Sequence, residues 1–240
     1  MRAAERAKLK KLLKVKPMHC AVIPVPSKTD LRTMFEFARD LDYFAMHDRL
    51  TFDFGEPRFH SPFSMLFLAA KLKSFRLKNP DLEIHFIRHQ AHSYAAHMGF
   101  FRMLDVDQSQ AVINHSGNED YLPITCLDRA SFYVSEGDRF VELPDLIQRH
   151  ADQIARVITR EDRQHADMFD VLSYSIREVM RNVFEHSRAD FLFYCAQYWP
   201  RSNKVEFAIA DFGVGIRHAL SENPNFRFKT DKEALSSQVV

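Results

Sequence analysis

Residues 204–216 read KVEFAIADFGVGI, and this stretch decides how the C-terminal part of the chain is interpreted. Its first seven residues favour a strand, and they lead directly into a turn that holds Gly213 and Gly215. The chain has only 6 glycines among 240 residues, so two glycines so close together stand out. Glycine permits positive φ and lets a ligand approach the backbone without a Cβ in the way. Asp211, at the end of the strand, accepts hydrogen bonds only and can recognise an exocyclic amine. The stretch therefore predicts a binding turn.

A long helix over residues 162–186 precedes this strand in the prediction. Glu178, Asn182 and His186 recur every four residues, so they share one face and lie about one turn apart. Carboxylate and carboxamide oxygens at this spacing suit a hard cation and a polarised water. The apolar residues that we expect to form the buried stripe of this helix are Leu172, Ile176, Val179 and Val183.

Two strands, 190–199 and 204–210, connect the helix to the turn in this interpretation. The order E-x-x-x-N-x-x-x-H, strand pair, D-x-G-x-G-I resembles the GHKL ATP-binding fold over about residues 145–235. That superfamily includes gyrase-type topoisomerase subunits, heat-shock chaperone ATPases, histidine kinases, anti-sigma serine kinases and mismatch-repair ATPases. The resemblance implies a C-terminal α/β two-layer sandwich that binds ATP and Mg²⁺.

The resemblance also implies roles for the polar residues of the helix. Asn182 would hold Mg²⁺ against the triphosphate. Glu178 would be the catalytic general base in members that hydrolyse ATP. His186 stands where the family often has a polar residue near the nucleotide.

The adenine end of the nucleotide is assigned to the turn by the same resemblance. Asp211 would accept the adenine amino group, and Gly213 and Gly215, followed by Ile216, would shape the adenine pocket. The family then requires a flexible lid, a second glycine motif, a helix and further strands. Residues 223–240, NPNFRFKTDKEALSSQVV, contain no such motif, so the GHKL-type domain is expected to lack its lid and last strands. Three explanations stay open, namely a truncated chain, a protein partner or second copy that completes the site, and a degenerate member.

The N-terminal half predicts a second α/β unit. Strand and helix patterns alternate through about residue 104, and they resemble STAS-type domains of bacterial regulatory and transport proteins over about residues 18–105. The matching stretches are LTFDFGEPRFHSPFSMLFLAAKL (50–72), EIHFI (83–87) and AAHMGFFRML (95–104). Ser61 precedes a proline, and we expect it to cap a helix rather than to be phosphorylated. The predicted organisation is a basic tail (1–17), a STAS-like domain (18–110), connecting strands (111–142) and the GHKL-type domain (143–240).

Composition narrows the class of protein further. Lys and Arg number 33 against 32 Asp and Glu, which argues against a nucleic-acid partner. A chain with 22 Phe cannot leave so much apolar surface wet, so disorder is excluded as the main state. The 3 cysteines form no C-x-x-C pair, which favours a reducing cytoplasm. The longest apolar runs are far shorter than a transmembrane helix of about 20 residues, so no membrane contact is expected.

These observations predict a cytoplasmic, bacterial regulatory protein in which ATP and Mg²⁺ binding gates a protein–protein interaction, with slow ATP hydrolysis as a further expectation. Two alternatives stay open. The first is a degenerate, non-catalytic interaction module that keeps the fold. The second is a serine or histidine kinase that acts on a partner protein, although no phosphoacceptor helix hairpin is visible in the sequence.

Overall fold

The computed structural model describes residues 19–28, 30–55, 61–106, 117–129, 143–160 and 166–236. Within these ranges the chain is a mixed α/β protein, which confirms the predicted α/β class, and it has one parallel and one antiparallel three-stranded sheet. Compactness divides the chain into an N-terminal unit (1–58 and 74–91) and a C-terminal unit (59–73 and 92–240). The independent folding of 18–110 and 143–240 stays a prediction.

The elements are named in chain order. The strands are β1 (Cys20–Pro24), β2 (Arg49–Asp53), β3 (Glu83–Ile87), β4 (Tyr121–Asp128), β5 (Phe191–Trp199) and β6 (Lys204–Asp211). The α-helices are α1 (Leu31–Asp40), α2 (Pro62–Lys78), α3 (Ser93–His97), α4 (Phe100–Met103), α5 (Leu143–Thr159), α6 (Ala166–His186), α7 (Ile216–Ser221) and α8 (Asp231–Ser236). Two 3₁₀-helices are Leu41–Met46 and His89–Ala91.

The N-terminal unit contains the parallel sheet, in the order β1-β2-β3. Burial alternates along β2, where Leu50 and Phe52 are buried and their neighbours are partly exposed. The Phe37 ring of α1 meets Phe52 edge-on, with ring centroids 6.5 Å apart. The buried apolar residues of β2 thus pack against α1, and their alternation is what period-two patterning predicts. The further likeness to STAS architecture stays a prediction.

The C-terminal unit is built around the antiparallel sheet β4-β5-β6, in which β5 is central. Five consecutive residues of β5, 192–196, are buried, because both faces of this strand are covered. On one face lie α5 and α6, and Ile147, Ile154, Met180 and Tyr194 belong to one continuous core with them.

The second face of the antiparallel sheet is covered by the start of α2 and by the α3–α4 region. The Cys195 thiol donates to the Pro62 carbonyl at 3.5 Å, and the Ile124 N–H donates to the Met98 carbonyl at 2.8 Å. Glu206 of β6 accepts hydrogen bonds from the Ser61 hydroxyl and from the Phe63 N–H, the latter at 3.0 Å. Residues 59–73, which lie in sequence between the two segments of the N-terminal unit, therefore belong to the C-terminal unit.

Helix α6 lies close to its prediction, with residues 162–165 outside the described ranges. Ile176 and Val183 are buried as expected, and Leu172 is half-buried. The prediction for Val179 was wrong, because its side chain is 49% exposed and Met180 is buried instead. Successive helical residues turn by about 100°, and α5 with the sheet contacts the side centred nearer to Met180.

One further local prediction is confirmed, since the Ser61 hydroxyl accepts the Ser64 N–H at 3.3 Å and so caps α2. At the start of α8, the Thr230 hydroxyl accepts the Glu233 N–H at 3.2 Å. The basic tail (1–17) and, within the predicted connecting strands, residues 111–116 and 130–142 lie outside the described residues. In the part of the chain that is described, no helix combines the length and the apolar character needed to cross a membrane.

Candidate functional site

The C-terminal end of α6 contacts the glycine turn (residues 211–215). Helix α6 ends at His186, and Ser187 extends it by donating from its N–H and its hydroxyl to the Val183 carbonyl, at 3.1 and 2.6 Å. The Ser187 carbonyl then accepts the Val214 N–H at 2.8 Å. The end of the helix that carries the first motif therefore meets the turn that carries the second at one backbone contact.

The two glycines of the turn have different physical roles. A Cβ on Gly213 would overlap the carbonyl and side chain of Ser187, so glycine is needed there for close approach. Gly215 has φ 78° and ψ 159°, a combination that is almost restricted to glycine. A Cβ built on Gly215 meets no atom within 4 Å. The backbone at Gly215 therefore borders open space, and Ile216, 53% exposed, begins α7 beside it.

Asp211 is the last residue of β6 and lies opposite Leu192 of β5. Its side chain is exposed, and its Oδ1 accepts the Gly213 N–H at 2.7 Å. This local bond fixes the carboxylate and shapes the turn. Its Oδ2 accepts no hydrogen bond within the described ranges, so one oxygen of an oriented carboxylate is open to an incoming donor.

Asn182 and His186 lie on the exposed side of α6, one turn apart. Among the described residues, the Asn182 carboxamide makes no hydrogen bond, and the residue is exposed. His186 Nε2 lies 4.0 Å from Glu185 Oε2, and 65% of the His186 side chain is exposed. Both side chains are accessible to a ligand at the end of α6 that carries the glycine turn.

Glu178 is engaged by two arginines of its own helix. Its carboxylate lies 2.9 Å from Arg177 Nη2 and 3.2 Å from Arg181 Nη1. The hydrogen bond from Arg177, assisted by the charge of Arg181, lowers the pKa of Glu178 below its ordinary value. A carboxylate with a lowered pKa is a weaker proton acceptor. The sequence analysis missed both arginines, although their spacing from Glu178 is visible in the sequence.

Ser187 is a second residue that the motif did not indicate. It joins α6 to the turn through its carbonyl, which no side-chain pattern can reveal. Arg188, which follows it, has φ 58° and pairs with Glu222 at the end of α7, with Nη2 and Oε1 2.5 Å apart. The α6–β5 connection therefore contacts the turn on one side and the following helix on the other.

A magnesium ion would find few protein ligands here. The described ranges hold no group of three or more His, Cys, Asp or Glu side chains that could bind a metal ion. The Asn182 carboxamide oxygen fits a cation that takes most of its ligands from phosphates and water, which is how Mg²⁺ is usually held. The donor set is compatible with a nucleotide-bound magnesium ion.

Comparisons of the chain with protein-family models, with curated proteins and with solved structures found no match.

Proposed function

We propose that the C-terminal unit binds an adenine nucleotide with Mg²⁺ between α6 and the glycine turn, in the manner of GHKL-type domains. The observation that carries this proposal is the contact between Ser187 and Val214, which joins the end of the carboxamide-bearing helix to the Asp-x-Gly-x-Gly turn. Neither motif alone distinguishes a binding site from a solvated helix face or a plain turn. Their adjacency in space is what supports a shared ligand.

The proposed roles follow from the chemistry of each group. The Asn182 oxygen would hold Mg²⁺ against the triphosphate, and His186 would contact the nucleotide one turn further along. The free Oδ2 of Asp211 would accept the adenine amino group. The open space beside Gly215, with Ile216 at its border, would admit the ring. Bound Mg²⁺ would supply charge neutralisation for the phosphates.

The pairing of Glu178 with Arg177 and Arg181 favours binding over rapid turnover. A general base works best when its pKa lies near the operating pH, and the arginines move the pKa of Glu178 the other way. Nucleotide would thus act chiefly by shifting a conformational equilibrium, and so an interface with a partner protein or a second copy. The three free cysteines suit the cytoplasm as the place of action.

Calorimetric titration of the full chain with Mg-ATP tests this function. We expect saturable binding that weakens at least about tenfold in Asn182→Ala, which corresponds to ~1.4 kcal/mol. Val171→Ala is the matched control, since Val171 is exposed on the same side of α6, three turns away. Its affinity should equal that of the natural chain. No binding by the natural chain, or equal affinities for all three proteins, would contradict the proposal and favour a non-catalytic interaction module.

Asp211→Asn tests the adenine end separately. The carboxamide can still accept the Gly213 N–H, but it can turn a donor toward the base in place of the free oxygen. We expect this variant to weaken ATP more than inorganic tripolyphosphate, which carries no base. An equal loss for both ligands would refute the adenine role.

A further inference from the structure

Arg129, the residue after β4, reaches the end of α6 from outside both motifs. Its Nη2 donates to the Phe184 carbonyl and, at 3.4 Å, to the Ala189 carbonyl. Its backbone N–H donates to the Asp190 carbonyl at 2.7 Å. The guanidinium carbon also lies 5.6 Å from the centroid of the Phe184 ring. One arginine therefore contacts both ends of the α6–β5 connection.

These contacts satisfy groups that the fold leaves without partners. The last four carbonyls of a helix receive no hydrogen bond from an N–H of the same helix. The Phe184 carbonyl is one of these, because it belongs to the final turn of α6. Phe184 and Ala189 are buried, so water cannot readily replace the donor. A cation at a helix C-terminus is also favoured by the helix dipole. Arg129 is thus an effective cap for α6.

A chain of hydrogen bonds continues from this cap to the glycine turn. The Ala189 N–H donates to the Ser187 hydroxyl at 3.2 Å, and the Ser187 carbonyl accepts the Val214 N–H at 2.8 Å. Arg129 holds the carbonyl of Ala189, so it fixes the segment on which Ser187 lies. Within the described ranges, the hydrogen bonds and the ring contact of Arg129 do not reach Asn182 or Asp211.

We propose that Arg129 is a positioning residue of the candidate nucleotide site, which sets the placement of the glycine turn relative to α6 through the α6–β5 connection. Its effect on nucleotide affinity rests on the proposed function, whereas its effect on the turn does not. Asn182 lies before the last turn of α6, where Met180 and Val183 are held by the core. Loss of Arg129 should therefore displace the adenine end of the site more than the phosphate end.

The first measurement is amide hydrogen exchange of the full chain without nucleotide. Arg129→Met keeps a long unbranched side chain and the backbone N–H that donates to the Asp190 carbonyl, but it removes every side-chain donor. We expect the Val214 amide to exchange at least about tenfold faster in this variant, because its acceptor is no longer fixed. The Ile124 amide of β4, bonded to the Met98 carbonyl, is the control and should keep its rate. Arg129→Lys retains a charged donor and should give an intermediate rate at Val214.

The second measurement compares affinities for Mg-ATP and tripolyphosphate in the same variants. We expect Arg129→Met to weaken ATP about tenfold while tripolyphosphate changes by less than about threefold, with partial recovery in Arg129→Lys. A merely destabilised protein would lose both ligands together.

The two measurements separate the possible failures. An unchanged Val214 rate, or equal acceleration at Ile124, would overturn the positioning role whether or not nucleotide binds. If Arg129→Met does not fold, the same comparison is made with Arg129→Lys, and an unchanged Val214 rate in that variant overturns the role. Absence of ATP binding by the natural chain would reject the proposed function, while the exchange rates would still decide the role of Arg129.

Discussion

The Val214 N–H donates a hydrogen bond to the Ser187 carbonyl at 2.8 Å. This bond joins two backbone groups, so the spacing between α6 and the turn does not depend on a particular side chain at either position. It depends instead on whether the two backbones can approach each other. Gly213, beside Val214, is the residue that allows this approach, because any Cβ there would overlap Ser187.

Gly213→Ala should therefore destabilise the protein. The added methyl group overlaps backbone as well as side-chain atoms of Ser187, and overpacking of this kind costs about 1–3 kcal/mol. Urea unfolding followed by circular dichroism measures the loss. The Val214 amide should also lose protection against hydrogen exchange.

Gly215→Ala is the control for this substitution. Its new Cβ meets no neighbour, and the cost is that of a backbone conformation, φ 78° with ψ 159°, that is almost restricted to glycine, about 1–3 kcal/mol. The Val214 amide should stay protected in this variant. Equal protection of Val214 in both alanine variants would show that close approach to Ser187 is not what requires glycine at position 213.

Adjacent residues of α6 should differ sharply in their effect on stability. Met180 is buried in the core of the C-terminal unit, whereas Val179 is 49% exposed. Met180→Ala should lower the free energy of unfolding by about 2–5 kcal/mol through lost burial and a cavity. Val179→Ala should change it by less than about 0.5 kcal/mol. Urea unfolding measures both changes. A larger loss of unfolding free energy in Val179→Ala than in Met180→Ala would show that the side of α6 that holds Met180 does not face the core.

The pKa of Glu178 should respond to its two arginines in a defined order. The Arg177 hydrogen bond is the largest cause of the lowered pKa, ahead of the charge of Arg181. Arg177→Gln should therefore raise the pKa of Glu178 toward its ordinary value, and Arg181→Gln should raise it less. Carbon-13 NMR titration of the Glu178 carboxyl measures both shifts. A larger rise in Arg181→Gln would reverse the assignment of the dominant partner.

Stability should fall in mildly acidic solution because of His150. Its Nδ1 lies 2.6 Å from the Tyr194 hydroxyl oxygen, and burial lowers the pKa of His150 below 6.5. Burial also raises the pKa of Tyr194 to about 12, so the phenol stays neutral. The unfolded chain then binds a proton at His150 more readily than the folded chain. The contribution of His150 to stability is complete above about pH 6.5 and is lost progressively as the pH falls below it.

His150→Gln tests this pH dependence. Glutamine does not titrate and can accept a hydrogen bond from Tyr194. Between about pH 5 and pH 6.5 the free energy of unfolding should decline less steeply in the variant than in the natural chain. Parallel slopes would assign the acid sensitivity to other groups.

Local chemistry explains what could be predicted from the sequence. The capping residue Ser61 and the alternating apolar residues of β2 act over a few positions, so their patterns are readable in the sequence. Tertiary contacts explain what was missed. Arg129 and Ser187 act through backbone carbonyls of segments distant in sequence, and no residue type marks such a contact.

The assignment of the start of α2 to the C-terminal unit also required the structure. Its buried residues surround the helix, and an all-round apolar helix gives no preferred face from which a partner sheet could be read. The buried apolar residues of this helix are Met65, Leu66, Leu68, Ala69, Ala70, Leu72 and Phe75. The alternation of strands and helices in the sequence placed this helix in the predicted N-terminal domain. In the structure, residues 61–73 belong to the unit that contains the antiparallel sheet.

The covering of β5 by the start of α2 has a practical consequence for dissecting the protein. A fragment that begins at residue 111 would keep all three antiparallel strands but would strip one side of β5, where the Cys195 thiol meets Pro62. Such a fragment would expose apolar surface and the Cys195 thiol to solvent, so it would be prone to aggregation and to oxidation. A fragment intended to represent the C-terminal unit should therefore begin before residue 61.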